Sequence, residues 1–235
     1  MIKLENVEVM GWEAAIRGMR NPMNSWEKSD SFLCREVEDG TCPEDCSFRG
    51  KCPVYGTEDF FVLGDNDYTL MKNLRNAGTD HRKFMRMITV YLDISAPLYW
   101  WKEFDTYKVG TVANSCSTMH KIHEKEFTRE DFSFENIPDK YDWFLNEGSL
   151  IDDIIACLND GRDRYLKTKD KKYWWQMIQL LPSSYNQRRT VMLNYEVLAN
   201  IYKSRRNHKL DEWHTFCDWI ENLPYSELIT GGEVS

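Results

Sequence analysis

Hydrophobic and polar positions divide the chain into stretches of different period. Ile2, Leu4, Val7 and Val9 fall on alternate or near-alternate positions, and Trp12, Ala15, Ile16 and Met19 then follow helical spacing, which predicts a strand and a short helix over residues 1–20. From Asp65 to Gly78 the stripe Leu70, Met71, Leu74 and Ala77 marks a helix, with Asp65 or Asn66 as its cap and Gly78 at the left-handed stop. Alternation returns from Phe84 to Ile94, with Phe84, Arg86, Ile88, Val90, Leu92 and Ile94 on one side, and predicts a strand. Ser95 then reads as an N-cap and Pro97 as a first-turn residue of a helix carrying Trp100, Trp101 and Phe104. Three further helical faces follow. Ile151, Ile154, Ile155 and Leu158 lie behind a serine cap at Ser149, Tyr173, Trp174, Met177, Ile178 and Leu181 run up to Pro182, and Leu210, Trp213, Cys217 and Ile220 span about 210–222. Residues 230–235 read as a disordered tail.

Two stretches lack a period. Residues 21–57 hold Pro22, Pro43, Pro53, Gly40, Gly50 and Gly56 and read as a long loop or insertion. Inside it, Cys34, Cys42, Cys46 and Cys52 are spaced C-x7-C-x3-C-x5-C, so four thiolates could surround a structural zinc. Unligated thiols, an iron-sulfur cluster and disulfides are the alternatives. The second stretch is Thr106 to Met119. There Thr111, Asn114, Ser115, Cys116, Ser117 and Thr118 crowd hydrogen-bonding groups into eight positions, which suits either a polar ligand or an ordinary surface loop.

Composition narrows these readings. A chain of 235 residues suits a single domain. A net charge of −8 argues against a surface that coats nucleic acid. No run reaches the roughly 18 apolar residues of a membrane span, and the start lacks a signal core, so a cytoplasmic protein is expected. Seven cysteines in such a chain fit thiols or metal ligands better than a disulfide framework. Nine Trp and twelve Tyr fill cores, and they also make platforms for flat heterocycles.

Near the C-terminus, Leu198, Ile201, Tyr202 and Arg205 share one helical face, which sets a cation among apolar residues. Either its stem covers the core while its head reaches water, or its head binds an anion. His81, in the turn before the predicted strand, is open to the same two readings of solvated residue or ligand contact.

The run from Leu70 to Ile122 resembles the flavin-dependent thymidylate synthases. Ala96-Pro97-Leu98-Tyr99 looks like the start of their motif helix, and the overlay continues without a gap through Ile122. Against the family signature R-H-R-x-x-S-x-N-x-x-S-x-R-Y, Lys108 keeps the second basic position and Thr111 the first hydroxyl. Asn114 falls one position late and Cys116 stands at the second serine. A second block matches through Leu181-Pro182, Arg188, Asn194, Asn200 and Arg205.

The resemblance implies an α/β (α+β) fold, a central sheet with packed helices, as one domain over residues 1–235 with a cysteine-containing insertion at about 21–60. It implies an enzyme that methylates dUMP to dTMP with FAD as cofactor and NADPH and methylenetetrahydrofolate as co-substrates, working as a homotetramer. By the same resemblance Arg205 is the catalytic residue, and Arg188, Lys108, Cys116, Ser117 and Arg205 bind the substrate nucleotide. Thr111, Asn114, Ser115, Asn194, Asn200 and His81 contact the cofactor. Cys116 also invites a nucleophile reading, since thiolates add to uracil C6. The altered signature leaves two alternatives: a diverged flavoenzyme acting on another pyrimidine nucleotide, and a non-catalytic binding or assembly protein that keeps the fold.

Overall fold

The alternating segment becomes β4 (Thr89–Pro97), which lies inside a four-stranded sheet. In the computed structural model, which describes residues 2–35, 59–138 and 149–232, its partners are β1 (Lys3–Met10) and β6 (Asn186–Asn194). A short edge strand, β5 (Val112–Ser115), pairs with β6 on the far side, and every pairing is antiparallel, in the order β1-β4-β6-β5. Val90, Leu92, Ile94 and Ala96 of β4 and Val191 and Leu193 of β6 point to one face and are buried. Helices α1 (Trp12–Arg20), α3 (Leu98–Phe104), α6 (Tyr195–Arg205) and α7 (Asp211–Glu221) supply residues to the core on that face. The expected mixture of central sheet and packed helices is present.

A two-stranded ribbon of β2 (Phe32–Arg35) and β3 (Asp59–Val62) flanks the segment of the predicted insertion, and α2 (Asp65–Asn76) follows it. The backbone of Cys34 pairs with that of Phe60 in this ribbon. Cys42, Cys46 and Cys52 lie outside the described residues, so the four-cysteine reading falls mainly there. Helices α4 (Leu150–Thr168) and α5 (Lys171–Leu180) pack with Ile122, Phe127 and Phe132 into a second, smaller core, and α8 (Glu227–Thr230) closes the described chain. Among the described residues no helix is long and apolar enough to cross a membrane.

Several boundaries differ from the periodicity. Arg82–Arg86 is a 3-10 turn rather than the start of a strand, because Phe84 and Met85 are both buried and neighbouring positions of a strand cannot share a face. The strand instead continues through Ser95 and Pro97, paired to Asn186 of β6. Ser95 is therefore not a helix cap, and α3 starts only after Pro97, whose extended backbone (ψ 150°) turns the chain into the helix. Residues 112–115 of the expected polar loop pair as β5. Thr230 belongs to α8 and is buried rather than part of a disordered tail, with Gly231 in the left-handed region (φ 84°) at the helix end. Ser149 precedes α4 as expected, but its hydroxyl makes no cap hydrogen bond.

The cap of α2 also comes from elsewhere. Gly64 holds the N-cap position, and the carboxylate of Asp30 accepts from the backbone N–H groups of Asn66 and Asp67. A Cβ on Gly64 would sit 2.2 Å from the Asp30 carboxyl carbon, so this close approach requires glycine. Beside it, Asp67 is fully buried and accepts from Arg20 Nε at 2.6 Å, from the hydroxyls of Ser29 and Ser31 and from two backbone N–H groups. The remaining guanidinium donors of Arg20 go to Ser25 and to the Lys28 carbonyl. This pair ties residues 25–31 to α1 and α2.

Candidate functional site

The other face of the sheet has a different composition. Glu5 and Glu8 of β1, Tyr91, Asp93 and Ser95 of β4, Arg188, Thr190 and Met192 of β6, and Val112 and Asn114 of β5 all stand on it, as their cross-strand register requires. Its centre is a polar network. Asp93 accepts from Thr190, from Arg188 Nη2 at 2.7 Å and from Asn6 Nδ2 at 2.8 Å. Those three hydrogen bonds hold its carboxyl well below the usual carboxylate range.

Arg188 also reaches the rim of a cleft of about 480 Å³ at the end of the sheet. Cys116, Ser117 and Thr118, which follow β5, form one wall, and Tyr185, Asn186, Gln187 and Arg188 form another. The first wall is fixed to β6 by two bonds, Cys116 N–H to the Arg188 carbonyl at 2.9 Å and Gln187 Nε2 to the Cys116 carbonyl at 2.8 Å. Lys3 and Lys125 add cations, while Glu5, Glu130 and Asp131 add carboxylates. Ser117 Oγ accepts from the backbone N–H groups of Met119 and His120, which leaves its own proton for a ligand. Burial raises the Tyr185 phenol, with Asp131 and Cys116 adding to the effect, so it stays protonated and able to donate.

The other predicted residues gather along α6. Asn194 caps that helix, its Oδ1 accepting from Val197 N–H at 3.0 Å, and its Nδ2 reaches the Gly110 carbonyl at 3.4 Å. The Thr111 hydroxyl is bonded to the Tyr107 carbonyl. The segment 107–111 thus lies along α6, with Lys108 exposed. Gly110 adopts φ +83°, and a Cβ there would meet Asn194 Nδ2 at 3.0 Å and Val197 Cγ2 at 3.1 Å. Gly110→Ala should therefore cost about 1–2 kcal/mol from the left-handed backbone alone, read as a lowered midpoint in urea.

Arg205, at the end of α6, meets an anion from its own chain. Its Nη1 lies 2.6 Å from Glu103 of α3, its Nε donates to the Tyr107 hydroxyl at 2.8 Å, and its guanidinium stands over the Trp213 ring at 4.9 Å. Asn200 Oδ1 accepts from Arg82, whose Nε pairs with the buried Glu196 at 2.9 Å. His81 is exposed in the turn before it.

The predicted residues therefore form two groups. Arg188, Cys116 and Ser117 share the cleft, while Lys108, Thr111, Asn194, Asn200 and Arg205 lie along α6 or the segment against it. Asn114 and Ser115 occupy β5 between the groups, exposed and on opposite faces of the strand. Sequence reasoning missed Asp93, Glu103 and Lys125. The alternation did put Asp93 on the polar side of its strand, but nothing local linked it to Arg188. Glu103 carries no periodic mark, because its partners come from α6 and α7.

No protein-family profile matches the chain, and no curated protein matches it by sequence. Solved structures do match. A flavin-dependent thymidylate synthase from Helicobacter pylori, crystallised with FAD and dUMP, superposes with a TM-score of 0.63 at 15% identity, covering 97% of this chain and 98% of that one. A second structure of the Helicobacter pylori enzyme, also with FAD and dUMP, gives 0.63 at 15% over 98% of each chain. The UMP/dUMP methylase PolB from Streptomyces cacaoi, bound with 5-Br dUMP, gives 0.56 at 12% identity over 98% of this chain and 95% of that one. Coverage is near complete on both sides, and the antiparallel sheet with its helices is the shared feature. The chain has the fold of the flavin-dependent thymidylate synthases.

Proposed function

We propose that this protein is a nucleotide-methylating enzyme that converts dUMP to dTMP. The observation that carries the reading is the cleft, which brings Arg188 together with Cys116 and Ser117 from a segment more than 70 positions away. In the overall reaction the methylene carbon of methylenetetrahydrofolate moves to uracil C5, which loses its proton, and NADPH supplies the hydride that reduces it to methyl; tetrahydrofolate leaves, the two nitrogens that held the carbon taking up protons, and NADP+ is released.

Arg188 is half-exposed and already oriented by Asp93, so it is placed to meet a phosphate. Lys3 and Lys125 add positive charge to the same cleft. Ser117 and Tyr185 donate hydrogen bonds to carbonyl or ribose oxygens. Arg205 and Lys108 do not line this cleft and belong to the α6 side, on the opposite face of the sheet from Arg188, so they would serve a nucleotide held by another copy in the homotetramer, where a guanidinium beside a uracil carbonyl would draw electrons from the ring.

FAD, the cofactor that the resemblance implies, fits one chain poorly. Thr111, Asn194 and Asn200 spend the polar atoms named above on the fold itself. Neither these nor Asn114, Ser115 or His81 line the cleft. The steps that the chain's own residues support are therefore binding and orientation of the nucleotide, and the reading leaves completion of a flavin site to a homotetramer.

The same spent side chains favour a second reading, a nucleotide-binding protein that keeps the fold without flavin chemistry. Absorbance separates the two. Bound oxidised flavin absorbs near 450 nm, an order-of-magnitude landmark, and protein that stays colourless after incubation with FAD would exclude the flavoenzyme. Nucleotide binding is tested by calorimetry with dUMP. The parent chain should bind, and Arg188→Ala should weaken binding by about 10- to 100-fold through loss of a charge-assisted contact. A parent chain that gives no heat with dUMP would remove the proposal.

A further inference from the structure

The end of α3 and the end of α6 meet at one carboxylate. Glu103 Oε2 accepts from Arg205 Nη1 at 2.6 Å and from Trp213 Nε1 at 3.2 Å, and it lies 3.2 Å from His208 Nε2. His208 Nδ1 accepts from the Leu210 backbone N–H at 3.2 Å. That bond puts the imidazole proton on Nε2, where it points at Glu103. Three donors from α6, α7 and the loop between them thus converge on a single oxygen.

Arg205 is held on its other sides as well. Its Nε is spent on the Tyr107 hydroxyl, and its plane lies over Trp213 at 4.9 Å and Tyr107 at 5.5 Å. With Nε and Nη1 engaged, Nη2 is the nitrogen without a hydrogen-bond partner among the described residues. A free arginine samples many rotamers and loses that freedom on binding a ligand, whereas a clamped fork has already lost it.

We infer that Glu103 is a positioning residue, which holds Arg205 with Nη2 available to the nucleotide and is itself held by Trp213 and His208. The inference rests on the reading that the chain binds dUMP. Glu103→Gln keeps the shape and the acceptor but removes the charge.

The test is a double-mutant cycle on dUMP affinity, by calorimetry, with the parent chain, Glu103→Gln, Arg205→Ala, the double variant, and Arg188→Ala as a control outside the cluster. Glu103→Gln should weaken dUMP by about tenfold in the parent and have no further effect in the Arg205→Ala background. It should weaken dUMP fully in the Arg188→Ala background. Glu103→Asp, which keeps the charge on a shorter stem, should recover part of the loss and serves as the second variant if Glu103→Gln does not fold. Unchanged affinity in Glu103→Gln, or the same loss with and without Arg205, overturns the positioning role. If Arg188→Ala still weakens dUMP in that case, the nucleotide reading stands alone. A parent chain that does not bind dUMP overturns both.

Discussion

Asp67→Ala should destabilise the protein by about 3–5 kcal/mol, the usual result of removing one partner of a buried ion pair. Arg20 is only 4% exposed, and without Asp67 its charge would be buried with carbonyl and hydroxyl partners alone. The hydroxyls of Ser29 and Ser31 and the backbone N–H groups of Asp30 and Ser31 would lose their acceptor in the same step. For a chain of this size the loss corresponds to a fall in melting temperature on the order of 10 °C. Asp67→Asn should cost less, since it keeps the volume and one acceptor oxygen.

The pair also gives the stability a pH dependence. Burial opposes ionisation of Asp67, but hydrogen bonds from Ser31, Ser29 and Arg20 outweigh it and leave the folded pKa below the ordinary carboxylate value. A depressed folded pKa contributes stability above the unfolded value, and that contribution is lost as pH falls through the carboxylate range. Urea midpoints measured from pH 7 downward should therefore fall more steeply in the parent than in Asp67→Asn. Equal slopes, or a loss below about 1 kcal/mol in Asp67→Ala, would mean that the cluster is not the anchor its geometry describes.

Trp100→Ala should have an effect of similar size, about 3–5 kcal/mol for a large aromatic removed from a packed core. Trp100 is fully buried, and its ring lies 4.7 Å from Trp213, 5.0 Å from Trp101, 5.1 Å from Phe104 and 5.7 Å from Phe216. It joins α3 to α7 and so backs the elements that carry Glu103 and Trp213. Its indole N–H has no hydrogen-bond partner among the described residues. Trp100→Phe should therefore cost much less than Trp100→Ala, because the smaller ring removes an unsatisfied donor along with the volume. Chemical denaturation of the two variants checks this, and equal losses would contradict it.

Local pattern and tertiary pairing contributed different parts of the structure. The apolar stripes of α2, α4, α5, α6 and α7 were legible because burial of one helical face imposes its period on the chain. That Asn194 caps α6, its side chain accepting from the backbone three residues on, came from the structure, since the sequence offered Asn194 only as a family match. The Ala96-Pro97 step that leads into α3 and the Asn194 to Arg205 helix carried a resemblance that the fold bears out. Placing Arg205 on an apolar face was also within reach of the periodicity.

What the arginine faces was not. Glu103 lies 102 positions away from it, and only the packing of α3 against α6 brings the two together. The same holds for Asp30 at the start of α2, for Arg20 with Asp67, and for the cleft that unites Arg188 with Cys116. The extension of β4 through Pro97 was decided by pairing with β6, which overrode a local serine-proline signal for a helix start. Sequence by itself determined the periodic elements and the list of chemically capable side chains, because both depend on neighbours within a few positions. Which of those side chains meet, and which are already spent on one another, was decided only by the tertiary structure, since hydrogen bonds and ion pairs depend on distance in space.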